Sequence, residues 1–423
     1  MPRTDRYLRT SLFMVRIRGG VVLVHPGSSV ILLTDALGSR AVARLIRGYS
    51  EQDVRVWVEA QQQGAGLRVA SLVDRLDTIG AITTEVPRRD LRWRTRSALS
   101  LLLGRALTLA SLVIPLLPFA VLRALLVLLP FTPLVARTVG QIQPYVDANL
   151  RASGYSCTRQ RWRYGIARSC AAASARTFFM MYLALVLAPE RLYRLTAMLF
   201  DAESFRELER TLRDTGGGVV TSLHTGLYTG VIPLLGASGW ASAVLADTTS
   251  LGANVGDDTP PALEVYGRYA TILNSHSSMA GKALLARLCA GQLALLAFDA
   301  PAQDVVAAAT LPCIGFMGRP MYRFDGPAWL AARSGKPLVF EATYQRGGKT
   351  VISVWPPLYA NPDLPRRAQI EDLTARLYAT AEAFLRQHPE AWMAWSYQHD
   401  LIVRDGRVAE HGESKDGAVL TST

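Results

Sequence analysis

A long apolar segment limits where the early part of this 423-residue chain can lie. Between Ala98 and Phe131 the only charged residues are Arg105 and Arg123, and the 17 residues between these two arginines are uncharged. That length is at the lower end of what one membrane span needs, and three prolines interrupt the segment. The segment is therefore a short or re-entrant membrane segment, or a helical pair lying in the membrane interface. A buried helix of a soluble core is the remaining alternative.

The residues before this segment favour the membrane. Residues 87–96 combine five arginines with Trp93, and both residue types are favoured at the boundary between lipid and water. The whole chain has a formal net charge of +12, which predicts an anionic partner. Because the positive charge clusters beside an apolar segment, we expect that partner to be an anionic membrane and not nucleic acid.

Two further features bear on the compartment and on metals. The first residues lack the apolar run of a signal peptide, which predicts that the N-terminus stays in the cytoplasm. The four cysteines are scattered, with no Cys-x-x-Cys and no histidine at metal spacing. This pattern predicts free thiols in a reducing compartment and no metal site.

The first 86 residues predict a small α+β domain. Short β-favouring runs over Leu12–Ile17 and Val21–Val24 indicate a hairpin, and Val30–Thr34 indicates a third strand. Apolar residues at helical spacing then predict helices over Asp35–Arg47 and Leu67–Ile79, with another helix between them.

This order of elements resembles the winged-helix-like PqqD-like domain, in apolar positions over Val30–Gly48 and Leu72–Ile82. The resemblance implies that residues 1–86 hold the leader of a ribosomally made precursor peptide as an added strand. Its groove would lie between the third strand and the third helix. A domain that only packs against its own chain or a subunit is the alternative. The expected peptide-binding residues are Val30, Ile31, Leu32, Leu33, Leu72 and Leu76.

Residues 135–408 alternate between strand and helix patterns, which predicts an α/β domain with a mixed sheet flanked by helices. Residues 87–134 form the basic linker and the membrane-associated helical segment, and the polar tail, residues 409–423, is expected to be loose. The strand candidates are Val219–Leu223, Ala243–Leu245, Leu293–Phe298, Leu338–Thr343 and Val351–Val354. The helix candidates include Met279–Cys289, Pro327–Arg333 and Ile370–Gln387.

His224 is the residue most indicative of chemistry. It follows three glycines and a short apolar strand, a position from which an imidazole can reach a cleft and accept a proton from a hydroxyl or amine. A single histidine without supporting motifs is more often a structural residue whose ring hydrogen-bonds to backbone groups than a catalytic residue. The motifs around His224 favour the catalytic role.

These motifs resemble the lipid A late acyltransferases, the lauroyl/myristoyl transferase family, over residues 122–399. Members of that family transfer a fatty acyl group from acyl carrier protein or acyl-CoA to a hydroxyl of a membrane-bound acceptor. The resemblance therefore implies an acyltransferase at the cytoplasmic face of a bacterial inner membrane, without metal or cofactor. The matching pieces, in order, are Val146–Leu150, Tyr164–Arg168, Gly217–His224, Ala290–Asp299, Gly315–Pro320, Gly326–Leu338 and His388–Trp395.

One departure from the family pattern concerns the acid that orients the histidine. The family has an acid five positions after its histidine, whereas this chain has Thr229 there. Asp299 or Asp247 could replace that acid, the acceptor could be an amine that needs less base assistance, or the site could have kept only binding. We take His224 and Asp299 as the expected catalytic residues.

The donor also needs anion-binding groups. Arg268 and Arg319 suit a phosphate or phosphopantetheine, and Gly318 permits close approach of the backbone. Each arginine could equally be a solvated surface charge. The leading hypothesis is a membrane-associated enzyme that acylates a precursor peptide held by its N-terminal domain. A glycolipid or lysophospholipid acyltransferase, or an inactive adaptor that binds a peptide or carrier protein, are the alternatives.

Overall fold

The computed structural model describes part of the chain. The predicted helix Leu67–Ile79, the basic stretch 87–96 and the tail 409–423 lie outside the described residues, as do the predictions that fall on Val30, Leu72, Leu76, Asp247 and Arg268. The described residues are 7–8, 13–17, 20–24, 31–34, 41, 44–45, 49–61, 82–83, 109, 112–155, 159–246, 269–275, 279–299, 312–396 and 398.

The chain divides into two compact units. The first takes its described residues from Met1–Ala124, Phe178–Leu195 and Ala246–Asn274. The second takes them from Leu125–Thr177, Thr196–Leu245 and Ser275–Thr423.

The N-terminal strands lie where the short β-favouring runs of the sequence predicted them. The strands β2, β3 and β4 form an antiparallel sheet in that order, with Val15 opposite Val22 and Leu23 opposite Leu32. The elements of this region are β1 (Tyr7–Leu8), β2 (Phe13–Ile17), β3 (Gly20–Val24), β4 (Ile31–Thr34), α1 (Glu51–Gln61) and β5 (Ile82–Thr83).

A run of helices follows the apolar segment. A 3₁₀ turn over Ile114–Leu116 precedes the first helix, and another over Leu129–Phe131 ends it where Pro130 cannot continue the hydrogen-bond ladder. These helices are α2 (Phe119–Leu128), α3 (Pro133–Ala152), α4 (Gln160–Val186), α5 (Pro189–Leu199) and α6 (Ala202–Asp214).

Among the described residues, no single helix combines the length and apolarity needed to cross a bilayer. One pair, Phe119–Phe131 with Val135–Ala152, meets the requirement together by length and composition, across a bend of 46°.

A six-stranded mixed sheet flanked by helices confirms the α/β prediction in its coarse form. The strand order is β13-β12-β6-β9-β7-β8, with β6 parallel to both β12 and β9, and β13 antiparallel to β12. The strands are β6 (Val219–Ser222), β7 (Ser242–Ala246), β8 (Thr271–Asn274), β9 (Leu293–Ala297), β12 (Leu338–Arg346) and β13 (Lys349–Val354). The flanking helices include α7 (Val231–Ala237), α8 (Ala280–Cys289), α9 (Gly326–Ser334) and α10 (Arg366–Gln387).

The central strands β6 and β9 are buried on both faces. All four residues of β6 are buried, and β9 is buried except at its last residue. Such two-sided burial is typical of parallel strands covered by helices. It also means that a polar side chain just beyond these strands lies at the edge of a dry core.

One hairpin was not predicted from the sequence. Strands β10 (Cys313–Phe316) and β11 (Arg319–Tyr322) form it, and Met317 and Gly318 make its turn with φ angles of 52° and 75°. The left-handed conformation explains a glycine at position 318.

Candidate active site

His224 and Asp299 come together at one edge of the sheet. His224 lies just beyond β6 and Asp299 just beyond β9, and these two strands are neighbours that run in parallel. The carboxyl ends of parallel strands lie at the same edge, so the two side chains meet there. The imidazole Nδ1 of His224 is 2.7 Å from Oδ1 of Asp299.

Asp299 is buried and held by several N–H groups. Its side chain is 2% exposed, and the backbone N–H of His224 donates to both carboxylate oxygens at 3.0 Å. The indole Nε1 of Trp392 donates to Oδ2 at 2.8 Å. A carboxylate can remain in a buried place only if such donors replace water. The Asp299 carboxylate is therefore fixed in position relative to the imidazole.

The orientation of His224 follows from this contact. With Asp299 accepting at Nδ1, the tautomer that the hydrogen bonds assign carries its proton there and leaves Nε2 as the basic nitrogen. The side chain is 22% exposed, so a substrate can reach it. The ring of Tyr228 meets the imidazole edge to face, with centroids 4.8 Å apart. The arrangement can remove a proton from an acceptor and return it to a leaving group.

The loop after His224 is fixed to β12 by side-chain hydrogen bonds. The Thr225 hydroxyl accepts from the backbone N–H of Thr343, and the Thr343 hydroxyl donates to the Thr225 carbonyl and accepts from the N–H of Leu227. Gly226 has a φ of 51°, and a Cβ there would lie 2.6 Å from the Thr343 carbonyl oxygen. Only glycine fits this close approach.

A segment near the end of α10 completes the site. The backbone N–H of Met393 donates to the His224 carbonyl at 2.9 Å, and the N–H of Gly226 donates to the Ala391 carbonyl at 3.0 Å. Thr225 and Trp392 form an antiparallel bridge between these two hydrogen bonds. The backbone around His224 is thus held from both sides, by β12 and by residues 391–393.

Thr229 occupies the position at which the resembled family has its acid. Its hydroxyl oxygen is buried and has no hydrogen-bond partner within the described part of the chain. Asp299, from the neighbouring strand, is the acid that contacts His224 instead. Of the explanations left open by the sequence, the geometry favours replacement of the acid by Asp299.

If the site is catalytic, we expect Thr229→Val to leave its reaction rate within about twofold of wild type, and the free energy of unfolding to be equal or higher. The reason is that the substitution removes a buried hydroxyl without a partner, and such a group costs about 1–3 kcal/mol. The measurements are steady-state rates and urea unfolding. A loss of activity of tenfold or more would give Thr229 a part in the reaction.

Glu341 is a buried acid that the sequence analysis did not single out. It lies on β12 beside Ser222, which is two residues before His224, and its side chain is buried. Burial raises the pKa of Glu341 to about 8, opposed by a hydrogen bond from Ser222. The second carboxyl oxygen has no partner among the described residues. Glu341 is therefore predominantly protonated at neutral pH.

Arg319, which was predicted to bind the acyl donor, has a structural role in the described contacts. Arg319, at the start of β11, donates to the side-chain oxygen of Asn149 at 3.0 Å, and the Asn149 amide donates to the Trp395 carbonyl at 2.8 Å. These bonds connect the β10–β11 hairpin to α3 and to the segment that carries Trp392. Binding of a donor phosphate by Arg319 or Gly318 stays a prediction, and Arg268 lies outside the described residues.

Of the expected peptide-binding residues, Ile31, Leu32 and Leu33 are in β4, which is an edge strand of the three-stranded sheet within the described residues. An edge strand offers backbone donors and acceptors on its outer side. Within the described part of the chain, no group of three or more His, Cys, Asp or Glu side chains is placed to hold a metal ion.

Comparison of the chain with protein-family models gives no match, and comparison with curated proteins gives none either.

Proposed function

We propose that this chain is a membrane-associated acyltransferase in which His224 is the general base. It moves a fatty acyl group from acyl carrier protein or acyl-CoA to a hydroxyl or amine. The observation that carries the proposal is the His224–Asp299 contact of 2.7 Å. These residues end Gly217–His224 and Ala290–Asp299, two of the pieces that resemble the lauroyl/myristoyl transferases. A buried acid at Nδ1 and an accessible imidazole are the two requirements for this base.

The reaction needs no covalent enzyme intermediate. His224 Nε2 takes the proton of the acceptor hydroxyl or amine as its oxygen or nitrogen attacks the thioester carbonyl. The tetrahedral intermediate collapses with breakage of the C–S bond, and the imidazolium returns the proton to the departing thiolate. The products are the ester or amide and a free thiol. Asp299 keeps the imidazole oriented and stabilises its positive charge while that charge exists.

A precursor peptide is the acceptor that we propose, held as an added strand on β4. The outer edge of β4 supports this choice, because backbone hydrogen bonds there are independent of the peptide sequence. Holding the peptide raises the local concentration of its acceptor group. A glycolipid or lysophospholipid acceptor uses the same site chemistry and forms the second arm of the experiment.

The test is an acyl-transfer assay in detergent with acyl carrier protein and acyl-CoA donors. Candidate precursor peptides and a membrane lipid extract are the acceptors, and intact mass detects the product. His224→Ala is compared with His388→Gln, which changes a half-buried histidine whose neighbours are Glu390 and Tyr344. We expect transfer to be lost only in His224→Ala. Equal labelling in both variants would exclude His224 as the base, and no product with any donor would favour the adaptor alternative.

Membrane association is supported by the exposed face of α2. Val121, Leu125, Val127 and Leu128 are exposed on this helix, and Phe131 just beyond it is 70% exposed. A monomeric soluble protein rarely exposes so many large apolar side chains in one place. We propose that this face enters the interface of an anionic membrane at the cytoplasmic side of the bacterial inner membrane.

Arginines of α4 complement the end of α2. Pro130 has no N–H to donate to the Leu126 carbonyl, and the Arg176 guanidinium donates to it instead, at 3.2 Å. Arg168 lies over the ring of Phe131, 4.6 Å from its centroid. Burial lowers the pKa of Arg176. A phosphate of the membrane surface would stabilise both positive charges.

We expect Leu128→Asp to weaken binding to vesicles that contain an anionic phospholipid by about tenfold or more. A leucine side chain that enters an apolar phase contributes about 1.5–3 kcal/mol, and a carboxylate opposes entry. The matched control is Val56→Asp, because Leu128 and Val56 are 58% and 61% exposed and Val56 is in α1. Sedimentation with vesicles measures binding. Equal weakening in both variants would contradict docking through α2.

A further inference from the structure

The side chains of Trp392 and His224 each bind one oxygen of the Asp299 carboxylate. The indole Nε1 donates to Oδ2 at 2.8 Å, while the imidazole Nδ1 lies against Oδ1 at 2.7 Å. Trp392 is completely buried, so its N–H has no access to water. An indole has this single donor, and a buried indole N–H requires an acceptor.

The position of the indole is fixed by contacts on several sides. Its backbone forms the bridge with Thr225, and its carbonyl accepts from the Cys170 thiol at 3.2 Å. Burial raises the pKa of Cys170 to about 12, so the thiol remains a donor. The rings of Phe316 and Trp395 pack edge to face on the indole at 5.7 and 4.8 Å. The direction of the N–H is therefore set by the fold.

We propose that Trp392 is a positioning residue that sets how strongly Asp299 attracts the proton of His224. The carboxylate shares its negative charge between the indole N–H and the imidazole. If the indole donor is lost, the same charge is concentrated on the imidazole, and the imidazolium form becomes more stable. Trp392 thus keeps His224 a base of moderate strength, which is what proton removal and proton return both need.

Other groups that sense this charge are also part of the site. Burial raises the pKa of Tyr378 well above its ordinary value, opposed by a hydrogen bond from the Phe324 N–H, and the Asp299 carboxylate raises it further. The ring of Tyr228 contacts His224. Neither Tyr378 nor Tyr228 is changed in the variants of Trp392 and Trp395, so a difference between those variants comes from the loss of the Trp392 N–H.

The inference rests on the proposed function for its chemistry, but it is tested on the whole protein without acyl transfer. Diethyl pyrocarbonate modifies neutral imidazoles, and mass spectrometry of the His224 peptide follows this modification as a function of pH. The variants are Trp392→Phe and, as a matched control, Trp395→Phe. Trp395 is equally buried and also donates an indole hydrogen bond, but to the Pro389 carbonyl at 2.6 Å.

We expect the pH midpoint of His224 modification to rise by about half a unit or more in Trp392→Phe, since one unit corresponds to a tenfold change in the equilibrium. Phenylalanine at position 395 keeps an aromatic ring against the Trp392 indole, so the midpoint in Trp395→Phe should equal that of wild type, although both variants lose stability. Where acyl transfer is measurable, the acidic limb of kcat/KM should move by the same amount. Benzothienylalanine at position 392 replaces the N–H by sulfur with the ring shape retained, and it should reproduce the shift.

An unchanged midpoint in both Trp392 variants would overturn the proposal. Equal shifts in Trp392→Phe and Trp395→Phe would overturn it too, because they would show a general effect of loosened packing. Absence of acyl transfer from every protein would count against the proposed function alone, since the modification profile would still decide the role of Trp392.

Discussion

Asp299→Asn should lower kcat for the proposed acyl transfer by a factor of about 10³–10⁴, nearly as much as His224→Ala. The amide oxygen of the substituted side chain would still accept from Trp392, so its NH₂ group would face His224 Nδ1. A donor at that position forces the imidazole proton onto Nε2, the nitrogen that must accept the proton of the acceptor group. The NH₂ group would lose the hydrogen bond that Oδ1 accepts from the His224 N–H, but the amide oxygen would keep the bonds of Oδ2 to that N–H and to Trp392. The side chain would therefore stay in place while the base would be lost.

A double variant gives this prediction its internal control. If His224 and Asp299 act as one unit, Asp299→Asn combined with His224→Ala should be no slower than His224→Ala alone. Steady-state rates at saturating donor measure kcat, and thermal unfolding of each variant verifies folding. A kcat of Asp299→Asn within tenfold of wild type would exclude Asp299 as the acid that replaces the one missing at Thr229.

Glu341→Gln should stabilise the protein at neutral and alkaline pH. Burial raises the pKa of Glu341 from 4.5 to about 8. Between these values the folded protein holds a proton that the unfolded chain releases, so the free energy of unfolding falls as pH rises through this window. Glutamine has no proton to lose. The increase in the free energy of unfolding of Glu341→Gln over wild type should be on the order of 3 kcal/mol at pH 7 and close to zero near pH 4.5.

Urea unfolding of the detergent-solubilised protein at pH 5 and pH 8 measures this effect. Glu371→Gln is the matched control, because Glu371 is on α10 with a side chain 46% exposed beside Arg367. The free energy of unfolding of Glu371→Gln should depend on pH as that of the wild type does. A gain from Glu341→Gln that is equal at both pH values would mean that Glu341 is ionised in the folded state.

The central strands could be predicted because short runs of three to six mostly apolar residues, some of them next to a glycine or proline, are typical of buried strands. Each of the five strand candidates of the α/β domain overlaps a strand of the structure. The hairpin β10–β11 was missed because Gly315 and Pro320 have low strand propensity. Its formation depends on packing, including the Glu382 carboxylate that accepts from the Met317 N–H.

The site was predictable only in part. His224 could be found because a histidine directly after a buried strand is a local pattern, and Asp299 because it follows another such strand. That the two are neighbours depends on strand order, which a single sequence does not reveal. Trp392 lies in the matching piece His388–Trp395, but nothing in that piece indicates a role for it, because it lies 93 residues after Asp299 and is one of several buried aromatics. Glu341 interrupts an apolar strand, and that interruption was the signal available for it.

The wide sequence separation of the site has a consequence for synthesis of the protein. The chain emerges from the ribosome with α2 first, then His224, then Asp299, and the segment of residues 391–393 last. The helix with the proposed membrane-binding face is therefore synthesised long before the imidazole is oriented. Until Trp392 has left the ribosome and Met393 has bonded to the His224 carbonyl, the protein has no complete base. The proposed acyl transfer would therefore begin only when synthesis is almost finished, and a product truncated before Trp392 would lack it.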